Sequence, residues 1–265
     1  MNSRNKNRGF TLVELVIVII ILGVLSVGLS NFVGFGSRIY LDVSNRDELI
    51  ASARFAIERL NRELRQALPN SIRTDVNGRC VEFVPVVASA SYTDIPAVPE
   101  NAQQTFSAIG FSDRVLPAGN LYSTVYVMQP AHVYNAASGR RFQLSGLSGY
   151  GAIGNLAPWT FEFANAIRFA TESPTKRVFV VAQPISYCLN AGQLRRIESY
   201  GFNTTQTVFT SQGILMAEFI DDDNSSFSSL PATLLRNSLV TANLTFIRND
   251  ESVTFSNEVQ VINVP

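Results

Sequence analysis

Glu14 is the residue whose setting most demands chemistry. It heads an uncharged apolar run, Leu15 through Ser37, and three cations precede it, Arg4, Lys6 and Arg8. A carboxylate carried to the centre of a bilayer costs about 2.5–3.5 kcal/mol, so Glu14 calls for a cationic partner. Other candidates are few. The single histidine, His132, sits in Gln129-Pro-Ala-His132 with nothing nearby to argue a Ser/His/Asp site, and reads as a surface or hydrogen-bonded residue. Cys80 and Cys188 lack the spacing of metal ligands and either pair or stay as two buried thiols. Asp221-Asp222-Asp223-Asn224 is the one dense acidic cluster. Its hard oxygens suit Ca²⁺, but EF-hand spacing and the closing Glu are missing. Asp221, Asp222 and Asp223 are therefore weak calcium candidates, read first as a solvated turn. No glycine-rich phosphate loop follows a strand. Neither an enzyme nor a cofactor is expected.

At the boundary between basic leader and apolar run, Gly9-Phe-Thr-Leu-Val-Glu14 resembles the class III signal of type IV pilins and type II secretion pseudopilins. The resemblance implies that a prepilin peptidase cuts between Gly9 and Phe10 and methylates the new Phe10 amine. It also implies the partner of Glu14, the N-terminal ammonium of a neighbouring subunit, since opposite charges attract far more strongly in a low-dielectric bundle than in water. Two other readings stay open: a secretory signal cut after Ser26-Val27-Gly28, and a plain single-span anchor. Against the first, an acid inside the apolar region is unusual, and the run exceeds the usual stretch of about 7–15 residues. Export through such a leader would place Cys80 and Cys188 in an oxidising compartment, which implies a bridge between them.

The elements that must position these groups follow from periodicity. Residues 10–37 are long and apolar enough for a membrane span, for which ~20 helical residues suffice, with the leader, residues 1–9, on the cytoplasmic side. Beyond it, Val43, Ile50, Ile57 and Leu64 recur at sevens, and Ala53, Leu60 and Ala67 form a second set. Glu58 and Arg62 are spaced for an ion pair on the opposite face. One helix is expected from Phe10 to Leu68, its amphipathic part being residues 38–69, with Gly28, Gly34 and Gly36 as places to bend and Pro69 as its stop. Past that proline the period becomes two. Strands are expected over 79–87, 122–128, 166–170, 177–182, 185–189, 193–200, 207–210, 214–220, 239–248 and 252–264, the last two joined as a hairpin through Asn249-Asp250-Glu251. Residues 88–120 read as a long excursion and 139–154 as a loop. The expected class is α+β and pilin-like, an antiparallel sheet over residues 70–265 packed on the amphipathic half of the helix.

Composition limits the partners. Twenty-one basic residues balance 21 acidic ones, so there is no basic excess for nucleic acid. The helix end Ala53–Ala67 resembles that of J-type minor pseudopilins. Together with Arg79-Cys-Val-Glu-Phe83 it resembles more closely the O-type minor pilins of mannose-sensitive haemagglutinin pili. These resemblances imply a minor subunit that primes pilus assembly at or near the tip, or else a tip adhesin or a J-like pseudopilin. The implied partners are other minor and major pilins, prepilin peptidase and an inner-membrane assembly platform. The implied location is the bacterial inner membrane, single-pass with a periplasmic C-terminal domain, and then the pilus.

Overall fold

The computed structural model describes residues 10–111, 116–150, 158–209, 212–232, 236–249 and 251–262. The leader, residues 1–9, lies outside them. One helix, α1 (Leu12–Leu64), opens the chain and stays α-helical through Gly28, Gly34 and Gly36 without local melting. It stops four residues short of the expected end because the backbone finds other partners. Leu68 donates its N–H to the Val84 carbonyl (2.7 Å), and Val86 donates to that of Gln66 (2.9 Å).

Two compact units divide the chain, residues 1–48 and 49–265. In the second unit the strands in chain order are β1 (Arg73–Thr74), β2 (Cys80–Phe83), β3 (Val86–Tyr92), β4 (Gln103–Gly110), β5 (Tyr122–Val125), β6 (Arg141–Gln143), β7 (Gly146–Ser148) and β8 (Trp159–Ile167). They continue with β9 (Arg177–Val181), β10 (Ile185–Asn190), β11 (Gln193–Ile197), β12 (Ile214–Glu218), β13 (Ser226–Leu230), β14 (Ser238–Arg248) and β15 (Glu251–Val261). A short helix, α2 (Ala131–Tyr134), lies between β5 and β6. The chain is α+β, with its long N-terminal helix packed on antiparallel sheets, as a pilin-like fold requires.

Three sheets replace the single one expected. A five-stranded sheet has the order β1-β2-β10-β11-β12, a three-stranded sheet β13-β14-β15, and a seven-stranded sheet β6-β5-β9-β3-β4-β8-β7. The first two share a core with α1. Leu49, Ala53, Ala56, Ile57, Leu60 and Leu64 pack among Val81, Tyr187, Leu194, Phe227, Phe246 and Val259. The buried stripe thus begins at Leu49; Val43 is exposed and Ile50 only half-buried.

The seven-stranded sheet comes entirely from residues 86–181 and has a core without any residue of α1. Phe106 stacks on Phe161 with ring centres 4.6 Å apart. Trp159 lies over Gly110, where a Cβ would fall 1.8 Å from the indole, so any side chain there would have to displace the buried ring. This sheet corrects several expectations. The excursion 88–120 holds most of β3 and all of β4, and the loop 139–154 holds β6 and β7. Alternation is present in Ala88, Ala90, Tyr92 and in Phe106, Ala108, but small alanines at the buried positions, interleaved with serines, weaken it. The segment expected over 166–170 begins earlier, as β8. The expected strand 79–87 divides at Val84-Pro85, and 193–200 is strand only to Ile197. Residues 207–209 form no strand, Thr210 lies outside the described residues, and β13 was not anticipated. The β14–β15 hairpin forms with Arg248 opposite Glu251, although Asp250 lies outside the described residues.

Cys80 and Cys188 are bonded, S–S 2.04 Å, and sit directly opposite each other on β2 and β10. The bridge lies under Ile197, Tyr200 and Phe209. Closing a loop of 108 residues restricts the unfolded chain by up to about 4.7 kcal/mol. Replacing both cysteines with serine should therefore lower stability by about 2–5 kcal/mol. Urea melts of the full chain in detergent test this, and an unchanged midpoint would contradict it.

Burial also predicts the alkaline limit. Tyr134, Tyr187 and Tyr200 are pushed above the usual tyrosine range by burial, and Tyr92 is pushed up to about 12 by burial against a stabilising bond from the Ser173 N–H. A raised folded pKa gives stability that is complete below pH ~10 and falls as pH rises from there toward the folded values. Absorbance at 295 nm should show these four ionising only as near-UV ellipticity is lost. Their ionisation near pH 10 with the fold intact would refute it.

Candidate assembly site

Thr11 starts the functional segment by capping α1. Its Oγ1 accepts the Glu14 N–H (3.3 Å), and its carbonyl accepts the Leu15 N–H (3.2 Å). The spacing Thr-x-x-Glu is that of a capping box, so helix initiation itself fixes Glu14 in the first turn, where the helix dipole favours a carboxylate. Glu14 is exposed and has no cationic partner among the described residues. Phe10, which would be the new N-terminus, is 74% exposed; Gly9 lies outside the described residues.

Around Glu14 every large apolar side chain from Leu12 to Val43 is exposed, Ile19 and Ile20 at 60% each. That much uncovered apolar surface requires lipid or the helices of other subunits. A Cβ built on Gly23, Gly28, Gly34 or Gly36 would meet nothing within 4 Å, so packing within this chain does not demand their small size. One helix here is long and apolar enough to cross a membrane.

In the second unit, charged and amide pairs hold α1 to its sheets. Glu63 accepts from Arg59 (3.1 Å) and from Arg196 on β11 (2.9 Å), and Arg196 also reaches Glu198 (2.6 Å). Burial alone would lower the Arg196 pKa, yet these bonds hold it above its ordinary value. On the other flank, Asn61 and Asn257 of β15 exchange hydrogen bonds through both amides. The expected Glu58–Arg62 pair does not form among the described residues; Arg59–Glu63 replaces it, because Glu63 is drawn to the sheet. Deeper still, the side chain of Glu82, 1% exposed, accepts from Arg73 Nε (2.6 Å) and from the Tyr200 hydroxyl (2.8 Å). Only the Arg59–Glu63 spacing could have signalled any of this.

The remaining candidates disperse. His132 accepts the Met128 N–H at Nδ1 (3.2 Å) and bonds Gln129 through Nε2 (3.1 Å). Burial, and then Arg140, lower its pKa, so it stays neutral and hydrogen-bonded. Asp221 closes its own turn, accepting the N–H groups of Asp223 and Asn224 and the Asn224 side chain. The Asn224 side-chain bond is the main cause of its lowered pKa. Asp222 accepts from Gly192 (3.0 Å), whereas Asp223 lies 3.8 Å from Arg79. Their carboxylates turn to different partners. Among the described residues no group of three His, Cys, Asp or Glu could hold a metal ion.

An exposed apolar helix with one acid in its first turn, leading into a β-rich unit, is an arrangement that suits a filament-type subunit. Residues 4–30 match the family described as the prokaryotic N-terminal methylation motif. That motif makes the N-terminus type IV prepilin-like, and it supports a pilin or pseudopilin subunit processed by prepilin peptidase, anchored in the inner membrane before it assembles with other pilins. No curated protein and no solved structure matches the chain.

Proposed function

We propose that this chain is a minor type IV pilin-like subunit that primes pilus assembly at or near the filament tip, akin to the O-type minor pilins of mannose-sensitive haemagglutinin pili. The observation that carries the reading is the pairing of an intact assembly segment, motif and Glu14, with a unit of three sheets over residues 49–265. The segment lets the chain enter a helical bundle and hold a neighbour's N-terminus. The bulk of three sheets suits low copy number and a terminal position better than close axial repetition. Processing at Gly9–Phe10, a single pass with the C-terminal unit in the periplasm, and contact with the assembly platform belong to the same reading.

A tip adhesin is the second reading, favoured by the seven-stranded sheet, whose core is independent of α1. Deletion of the gene, read by electron microscopy beside an adhesion assay, separates the two. Loss of filaments supports priming; normal filaments without surface binding support the adhesin. N-terminal mass spectrometry of the mature chain should find methylated Phe10, and a start after Gly28 would overturn both.

A further inference from the structure

The guanidinium groups of Arg65 and Arg177 have no ion pair or hydrogen bond among the described residues, yet both residues line one cavity of about 440 Å³. Its floor is apolar, formed by Ala67 and Pro69 after α1, Val86 and Phe179 of the seven-stranded sheet, and Val261 at the end of β15. The cavity lies where the helix–sheet core, through Ala67 and Val261, meets the small apolar cluster of Val86 and Phe179. A second cavity, of about 350 Å³, adjoins it through Arg65 and Gln66 and is lined further by Glu58, Asn61 and Arg62. Together they form a trough with three guanidinium groups against one carboxylate.

The shape and charge select the occupant. A compact anion would use one cavity and leave the other open. A chain with an acidic side chain near the arginines and apolar side chains beside it fills both. Apolar residues at the trough and on the neighbouring sheet add contact area, Ile262 being 67% exposed, Ile109 59% and Phe111 62%. Arginine is suited to this task because its planar fork binds a carboxylate through two parallel bonds. We propose that this trough docks an acidic, apolar-flanked segment of a neighbouring pilin-type subunit. The proposal rests on the filament-subunit reading above and names the surface through which the β-rich unit, as distinct from the N-terminal segment, meets its neighbour.

The test uses the full chain in producing cells, with a photo-cross-linking amino acid at Gln66, which lines both cavities. The expected adduct joins Gln66 to an Asp- or Glu-containing peptide of another subunit bearing the methylation motif. Arg65→Glu with Arg177→Glu should reduce that adduct by about tenfold or more, since like charges brought together at an interface cost several kcal/mol. Reversing the partner's acid to Lys should restore it, and Arg65→Lys with Arg177→Lys should retain much of it. Formation of the Cys80–Cys188 bridge in each variant, read on a non-reducing gel, shows that the fold persists. An adduct insensitive to charge reversal, one formed only with lipid or a small metabolite, or none at all overturns the proposal. The two readings fail separately. Filaments lost on deletion without any adduct remove the trough and keep priming; a charge-dependent adduct with filaments unaffected by deletion does the reverse.

Discussion

Glu14→Ala is expected to insert in the membrane and to be processed to the same extent as the native chain, yet to support at least about tenfold fewer filaments. The carboxylate stands exposed in the first turn of α1, unpaired among the described residues, on a helix whose apolar surface must be covered by something else. In a bundle, removing it would strand a neighbour's ammonium in a low-dielectric setting, a loss of about 3–5 kcal/mol. Each ~1.4 kcal/mol is a factor of ten in an equilibrium, so even half of that loss is visible in filament counts. Glu14→Gln separates charge from shape and should behave like the alanine variant. Filament numbers by electron microscopy, with immunoblots for precursor and mature chain, decide the matter. Native numbers for both variants would remove Glu14 from assembly.

The largest stability effect is expected at Arg73. Its guanidinium neutralises buried Glu82, donates to the carbonyls of Asn203 and Thr204 at 2.8 Å each, and lies 3.6 Å from the centre of the Tyr134 ring. Arg73→Met leaves a carboxylate buried and uncompensated, which costs about 3–5 kcal/mol. Adding Glu82→Gln removes the stranded charge while Tyr200 can still donate to the amide oxygen, so the double variant should recover much of the loss. Urea denaturation of the full chain in detergent would show this as a midpoint that falls and then partly returns. A single variant as stable as the native chain, or a double variant no better than the single, would contradict the account.

Legibility in the sequence followed the strength of the local signal. The leader, the apolar run and Glu14 are contiguous, so the N-terminal segment could be read from types and spacing alone. The amphipathic part of α1 was legible from Ala53 onward, where Ala53, Ile57, Leu60 and Leu64 are buried as their period requires, whereas Leu49 was missed in favour of Ile50. The same period did not reveal where the helix ends, since the Leu68–Val84 and Gln66–Val86 backbone bonds are tertiary. Within the seven-stranded sheet β5 and β9 were legible, but β3 was hidden by small residues, Ala88, Ser89, Ala90 and Ser91, which carry little pattern yet allow the sheet to pack. Arg73–Glu82 and Glu63–Arg196 join residues far apart in the chain or on different elements, and no spacing rule reaches such pairs.

The excursion 86–181 leaves just after β2 and returns just before β10, and those two strands are neighbours held by the covalent bond between Cys80 and Cys188. Val86 and Val181, the first and last residues of the excursion, pair with each other. In the architecture of a filament this works as a socket. Whatever is carried between those two crossings can be lengthened, diversified or exchanged through evolution while the helix, its sheet and the assembly segment keep their geometry, because the mouth of the socket is already closed beneath it. A new occupant would need to match the small apolar seam of Leu68 and Val84 against Tyr122, Val133 and Phe179, together with the contacts of Arg73 with Tyr134 and of Asn70 with Val127.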